Sequence, residues 1–133
     1  MNDLTLICEN CAFPIAGDTG CLYVRMGELV AYREEHAAWR AARSDGAVSA
    51  AELLLMPLPV AWHTSHDKCR PDRDDDAYEI DAVRIDSWAR VAHWTAHLMD
   101  KNWLSSTDWK HLLRELSGET PSRRIRVVAK EAA

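Results

Sequence analysis

Cys8-Glu9-Asn10-Cys11 and, separated from Cys11 by 54 residues, His66-Asp67-Lys68-Cys69 in the phrase Trp62-His63-Thr64-Ser65-His66-Asp67-Lys68-Cys69 decide how this chain folds. Two residues between ligands let a tight turn aim two side chains at one ion. Two such turns supply the four nitrogen and sulfur donors that tetrahedral zinc takes at roughly 2.0–2.3 Å. Cys8, Cys11, His66 and Cys69 are therefore the expected ligands of one zinc ion. Four protein ligands close the site and make it structural, whereas a catalytic zinc keeps one position for water. Cys21 and His63 lie nearby in sequence and stand as substitute ligands, Cys21 first.

Isolated thiols can pack as small hydrophobes, and a lone Cys-x2-Cys also fits a thioredoxin-like redox pair. The redox pair needs a strand before it and a helix opening at the motif. Here Cys11 runs into Ala12-Phe13-Pro14-Ile15-Ala16-Gly17-Asp18-Thr19-Gly20, where Pro14 and two glycines mark loop and turn. Cys-x2-Cys, a glycine turn, a short hairpin and an aromatic residue shortly before His-x2-Cys resemble the first zinc module of LIM domains and other treble-clef fingers. That resemblance implies an α+β fold built on a zinc knuckle and a hairpin. The run Trp94-Thr95-Ala96-His97-Leu98-Met99-Asp100-Lys101-Asn102-Trp103 also looks like small zinc-finger proteins of GC-rich bacteria and their phages.

With 133 residues, 47% of them hydrophobic, the chain suits one domain that buries roughly two-thirds of its unfolded surface. Met1 to Ile7 has no basic segment or long apolar core, and the apolar run from Leu53 to Trp62 carries Pro57 and Pro59. Neither a signal peptide nor a membrane span is expected. Four cysteines grouped with histidines then suit metal binding in a reducing cytoplasm better than disulfides.

In chain order, Leu4 to Ile7 predicts a short strand, and Cys21–Arg25 with Glu28–Tyr32 a hairpin turning at Gly27. Arg33 to Arg43 is Ala-rich and helical, with Tyr32, His36, Trp39 and Arg43 on one stripe and Asp45-Gly46 ending it. Ser49-Ala50-Ala51-Glu52 reads as a capping box for a short helix stopped by Pro57. Residues 33–56 thus form a helical insertion in the finger. Tyr78 to Ala82 reads as a strand, which Val83 to Ile85 can extend. From Asp86, a candidate N-cap, Trp88, Val91, Ala92, Thr95, Leu98 and Met99 recur at helical period, with Trp94 at the stripe's border. A second helix, capped by Ser106 or Thr107, places Trp109, Leu112, Leu113 and Leu116 on one face and closes at Gly118. The organisation expected is a finger domain over 1–120, with a helical hairpin at 86–117, and a basic tail over 121–133.

Other constellations are weaker. Asp72, Asp74 and Asp76 alternate like the start of a calcium loop, but Ala77 and Val83 replace the glycine and glutamate that loop requires. His93 and His97 lie four apart on a helix, with His111 as a third member, yet the His-Glu-x-x-His order of a metalloprotease is missing. No nucleophile elbow, phosphate loop or deaminase signature occurs, and an HNH-type nuclease lacks its paired histidine and downstream asparagine. The expectation is a non-catalytic regulator or adaptor that meets another protein, with Trp94 or Trp103 the first candidates for the contact. Nucleic acid is the alternative partner. A net charge of −5 opposes general phosphate binding, while Arg123, Arg124 and Arg126 give the last thirteen residues a positive balance.

Overall fold

The structure, a computed structural model, describes residues 3–43, 48–70 and 76–127. The chain runs β1 (Leu4–Leu6), β2 (Gly20–Arg25), α1 (Met26–Ala41), α2 (Ala50–Leu53), β3 (His63–His66), β4 (Ala77–Asp81), α3 (Trp88–Met99), α4 (Trp109–Leu116) and β5 (Ile125–Val127). Single 3-10 turns lie at Asp67–Cys69, Ala82–Arg84 and Leu104–Ser106. The class is α+β, as the sequence predicts.

β2 is the centre of a three-stranded antiparallel sheet ordered β3-β2-β4, with Cys21 opposite Ser65 and Leu22 opposite both Thr64 and Ile80. Its residues from Gly20 to Val24 are all buried, because α-helical and loop segments cover both faces. β1 and β5 pair antiparallel as a separate ribbon, Leu4 opposite Val127. The core between them is aromatic at its heart. Trp62 is fully buried, with Trp109 at 5.2 Å, Trp103 at 6.1 Å and Tyr78 at 6.2 Å between ring centroids.

The hairpin expected at 21–32 is not formed. Glu28 to Tyr32 belongs to α1, and the partners of β2 come from β3 and β4, more than forty residues further along the chain. Gly27 sits in the first turn of that helix, where Glu28 also faces the positive end of the helix dipole and pairs with Arg25 at 3.8 Å. The stripe Tyr32, His36, Trp39 extends back one turn to Leu29, the one residue of α1 that is buried. Leu29 anchors the helix and its distal half leaves the core. There Tyr32, His36 and Trp39 stack on one another at 5.6 and 5.9 Å, and α2 closes the arm through Trp39 Nε1 donating to the Glu52 carbonyl at 3.2 Å. Ser49 caps α2 by accepting from Glu52 N, as the capping box predicts. Asp45-Gly46 lies outside the described residues.

Further corrections fall in the second half. Val83 and Arg84 form a 3-10 turn with Ala82 instead of extending β4. The cap of α3 is Ser87, whose hydroxyl accepts from Arg90 N at 3.2 Å, while Asp86 pairs with the Arg90 side chain. Val91 and Leu98 are buried on α3 and Trp94 and Thr95 half-buried between them, whereas Trp88, Ala92 and Met99 are exposed. The stripe is rotated by part of a turn, since Trp94 sinks onto the core and donates from Nε1 to the Arg84 carbonyl at 3.0 Å. α4 buries Trp109, Leu112, Leu116 and also Glu115, and Gly118 ends it at φ 83°. The two helices meet where Trp109 Nε1 donates to Thr95 Oγ1 at 3.1 Å. Residues 121–127 are no tail: they carry β5 into the β1 ribbon.

Candidate metal centre

The first half of the site is a knuckle closed on itself. Ile7 bridges Pro14, Cys8 N donates to the Phe13 carbonyl at 2.9 Å, and Ala12 N donates to the Cys8 carbonyl at 2.8 Å. Turning this tightly puts Ala12 at φ 64°, the left-handed region that L-residues enter at a cost of about 1–2 kcal/mol. The second half begins at the end of β3. His66 leads into the 3-10 turn Asp67–Cys69, which swings Cys69 back beside it. Gly20 sets this approach: a Cβ there would lie 2.4 Å from the Ser65 carbonyl oxygen and 2.7 Å from Ile15.

Hydrogen bonds tie the halves together. Glu9 N donates to the Thr64 carbonyl at 3.0 Å, and Thr64 N returns a bond to Glu9 Oε1 at 3.1 Å. Buried Thr64 donates its hydroxyl to the Ile7 carbonyl, and Asn10 Nδ2 donates to Ser65 Oγ at 3.0 Å. The knuckle is thereby stitched to β3.

Cys8 Sγ, Cys11 Sγ, Cys69 Sγ and one His66 nitrogen all lie within 4.8 Å of one another. His66 Nδ1 is 3.3 Å from Cys11 Sγ and 3.9 Å from Cys69 Sγ. Tetrahedral bonds of about 2.0–2.3 Å require ligand-to-ligand edges of roughly 3.3–3.8 Å, so the donor set fits one ion with little adjustment. Its outer shell fits too. His66 Nε2 lies 3.1 Å from the Pro14 carbonyl, which accepts a hydrogen bond from that N–H and leaves the Nδ1 lone pair facing the sulfurs. His66 N donates to Cys8 Sγ at 3.4 Å, an arrangement that favours thiolate.

Burial pushes the Cys8 thiol up, but the backbone donors of His66, Cys11 and Asn10 overcome that and lower it to about 6. Cys69 goes the other way, to about 11, through desolvation and the neighbouring sulfurs of Cys11 and Cys8. Negative charge thus accumulates reluctantly until a cation takes it up. The four residues together can hold one metal ion.

Cys21 and His63 stand outside this group. Cys21 is buried on β2 with Arg70 Nη1 at 3.9 Å, and burial, then the charge of Glu79, raises its thiol to about 11. His63 Nδ1 faces Glu9 Oε2 at 3.3 Å, and its ring lies 5.4 Å from that of Tyr23. His93 and His97 are exposed on α3, flanking Trp94, while His111 pairs with Glu115 at 3.5 Å. Asp72 and Asp74, from the acidic run, lie outside the described residues.

Arg124 is a correction. Expected on a basic surface, it is 8% exposed, and its guanidinium is spent inside: Nη1 donates to Asp108 Oδ2 at 2.9 Å and to the Trp62 carbonyl at 2.8 Å, and Nη2 pairs with Glu115. Burial alone would raise the Glu115 carboxyl, but hydrogen bonds from Arg124 and Ser122 hold it below its ordinary value. Sequence reasoning missed this network. The signal was there, since a glutamate three residues after Leu112 falls on the apolar face of α4 and needs a cation. No family model, curated protein or solved structure matches the chain. The knuckle and the distant His-x2-Cys pair nonetheless fit a treble-clef arrangement, with the second ligand pair entering at the start of a helical turn.

Proposed function

We propose that the tetrad holds one structural zinc ion and that the protein is a small adaptor or regulator that binds a partner protein. Three thiolates and an imidazole select zinc over hard cations, and with four protein ligands no coordination position is left for a reacting water. The ion's part is to fold the chain.

The observation that carries the adaptor reading is the ridge after α2. Leu53, Leu54, Leu55 and Leu58 are 52%, 86%, 72% and 85% exposed, with Met56 beside them at 38%. Isolated exposed leucines are ordinary, but a contiguous apolar segment at the tip of an arm is a contact surface. It replaces Trp94 and Trp103 as the expected anchor, because both rings pack against the core. The nucleic-acid reading loses Arg124 to the interior and keeps only Arg123 and Arg126 on the surface.

The test is a photocrosslinking residue placed at Leu55 in the source organism, with one at exposed Glu119 as control. The expected result is one discrete heterologous adduct from Leu55 only, abolished by Leu54→Glu without change in melting temperature. Equal labelling from both positions, or an adduct indifferent to Leu54→Glu, refutes the reading.

A further inference from the structure

A second apolar surface begins at Pro59, the residue after Leu58 at the end of the ridge, where the end of α3, the 3-10 turn Leu104–Ser106 and α4 line a groove of about 880 Å³. Its apolar wall includes Met99, Leu104, Trp109, Leu113 and Pro59. Met99 is 71% exposed, which the fold itself does not require.

Charge says what lies against it. The groove is also lined by Lys101, Lys110 and Arg114, with His111 beside them, against a single acid, Asp108. Asp108 is already engaged, its Oδ1 accepting from Trp62 N at 2.8 Å and its Oδ2 from Arg124 at 2.9 Å. Lys101 leans on the Tyr78 ring, with its nitrogen 6.0 Å from the centroid. Lys110 and Arg114 stand exposed one turn apart on α4, with no acidic partner among the described residues. A net cationic rim on a chain of net charge −5 is a local reversal of sign. It steers an anionic partner to this apolar floor.

We infer that this groove receives an acidic amphipathic helix of a partner protein, apolar side chains toward Met99, Leu104 and Leu113 and carboxylates toward Lys110 and Arg114. A helix offers both at once, because residues at i, i+3, i+4 and i+7 share a face and their neighbours flank it. Leu54 lies outside the groove lining and Met99 and Arg114 lie outside the ridge, so variants at these positions let this inference and the ridge reading fail separately.

The experiment titrates the purified full chain with a fluorescein-labelled helical peptide of leucine and glutamate, the leucines at i, i+3, i+4 and i+7. A peptide with lysine for glutamate, duplex DNA and anionic phosphatidylglycerol vesicles serve as rivals. Saturable binding of the Leu/Glu peptide is expected, at least tenfold tighter than the Leu/Lys peptide. Met99→Glu and Arg114→Glu, both surface positions, should each weaken it fivefold or more with unchanged melting temperature, while Leu54→Glu leaves it intact. No saturable binding, equal binding of the two peptides, insensitivity to both groove variants, or displacement by DNA or vesicles overturns the assignment.

Discussion

Replacing Arg124 with alanine tests how much the buried network of Arg124, Glu115 and Asp108 contributes to stability. The side chains of Arg124 and Glu115 are 10% and 5% exposed, so solvent screens their pair little. Alanine leaves the Glu115 carboxylate buried with only the Ser122 hydroxyl and the exposed His111 ring at 3.5 Å to answer it, and Asp108 and the Trp62 carbonyl each lose a donor. Breaking a buried pair from one side costs about 3–5 kcal/mol. For a chain of this length about 4 °C per kcal/mol converts that to a fall in melting temperature of roughly 12–20 °C. Arg123→Ala, at an exposed position, should stay within about 0.5 kcal/mol of wild type. The effect also has a sign in pH. Glu115 titrates below its ordinary value in the folded protein, so its pairing contributes fully above the unfolded pKa of about 4.3 and is lost as pH falls through the folded one. The gap between wild type and variant, read by thermal denaturation from pH 7 to pH 3, should therefore narrow in acid. A drop below 3 °C, or a gap independent of pH, would refute the buried network.

Four further outcomes follow from the candidate metal centre and its turns. Elemental analysis should find one zinc per chain, and Cys8→Ser should lower both zinc content and melting temperature. Because the thiols must shed protons to bind, zinc affinity should fall with pH, and most steeply below about 6, where Cys8 too becomes protonated. Ala12→Gly should stabilise the protein by about 1 kcal/mol by relieving the left-handed backbone of the knuckle; a lower melting temperature would contradict that geometry. Gly20→Ala should destabilise by more than ~2 kcal/mol, since its methyl would meet the Ser65 backbone, and metal affinity should drop with it.

The clustering of Cys8, Cys11, His66 and Cys69 was legible because its chemistry is local: each pair needs one turn, and spacing states the turn. The capping box at Ser49 and the glycine stop at Gly118 were legible for the same reason. The hairpin failed at the level where propensity is short-sighted. Glu28 to Tyr32 holds a short apolar run with β-prone Val30 and Tyr32 after a glycine, and only the stripe Leu29, Tyr32, His36, Trp39, followed beyond it, shows helical period. The true partners of β2 are remote, and no local pattern names them. Arg124 was misplaced because a cluster of arginines reads as surface until a carboxylate on a buried helix face asks for one of them.

Those two features, one legible and one hidden, act on the same stretch of backbone. β1 and β5 are three residues each, and an isolated ribbon of that size is marginal in water. Ile7 is where it is reinforced. Its N–H donates to the Arg124 carbonyl at 2.7 Å, its carbonyl accepts from Thr64, and Cys8 follows immediately as the first member of the tetrad. Arg124 in turn holds the Trp62 carbonyl, one residue before β3 begins to carry His66 toward the site. Pulling on either anchor therefore strains the other through Ile7 and β3. A small sheet whose strands come from residues 20–25, 63–66 and 77–81 has much loop entropy to overcome. A metal ion held by the tetrad would crosslink the chain across 54 intervening residues and, with an arginine tying α4 to the residue before β3, would offset that cost where the strands themselves are too short to do so.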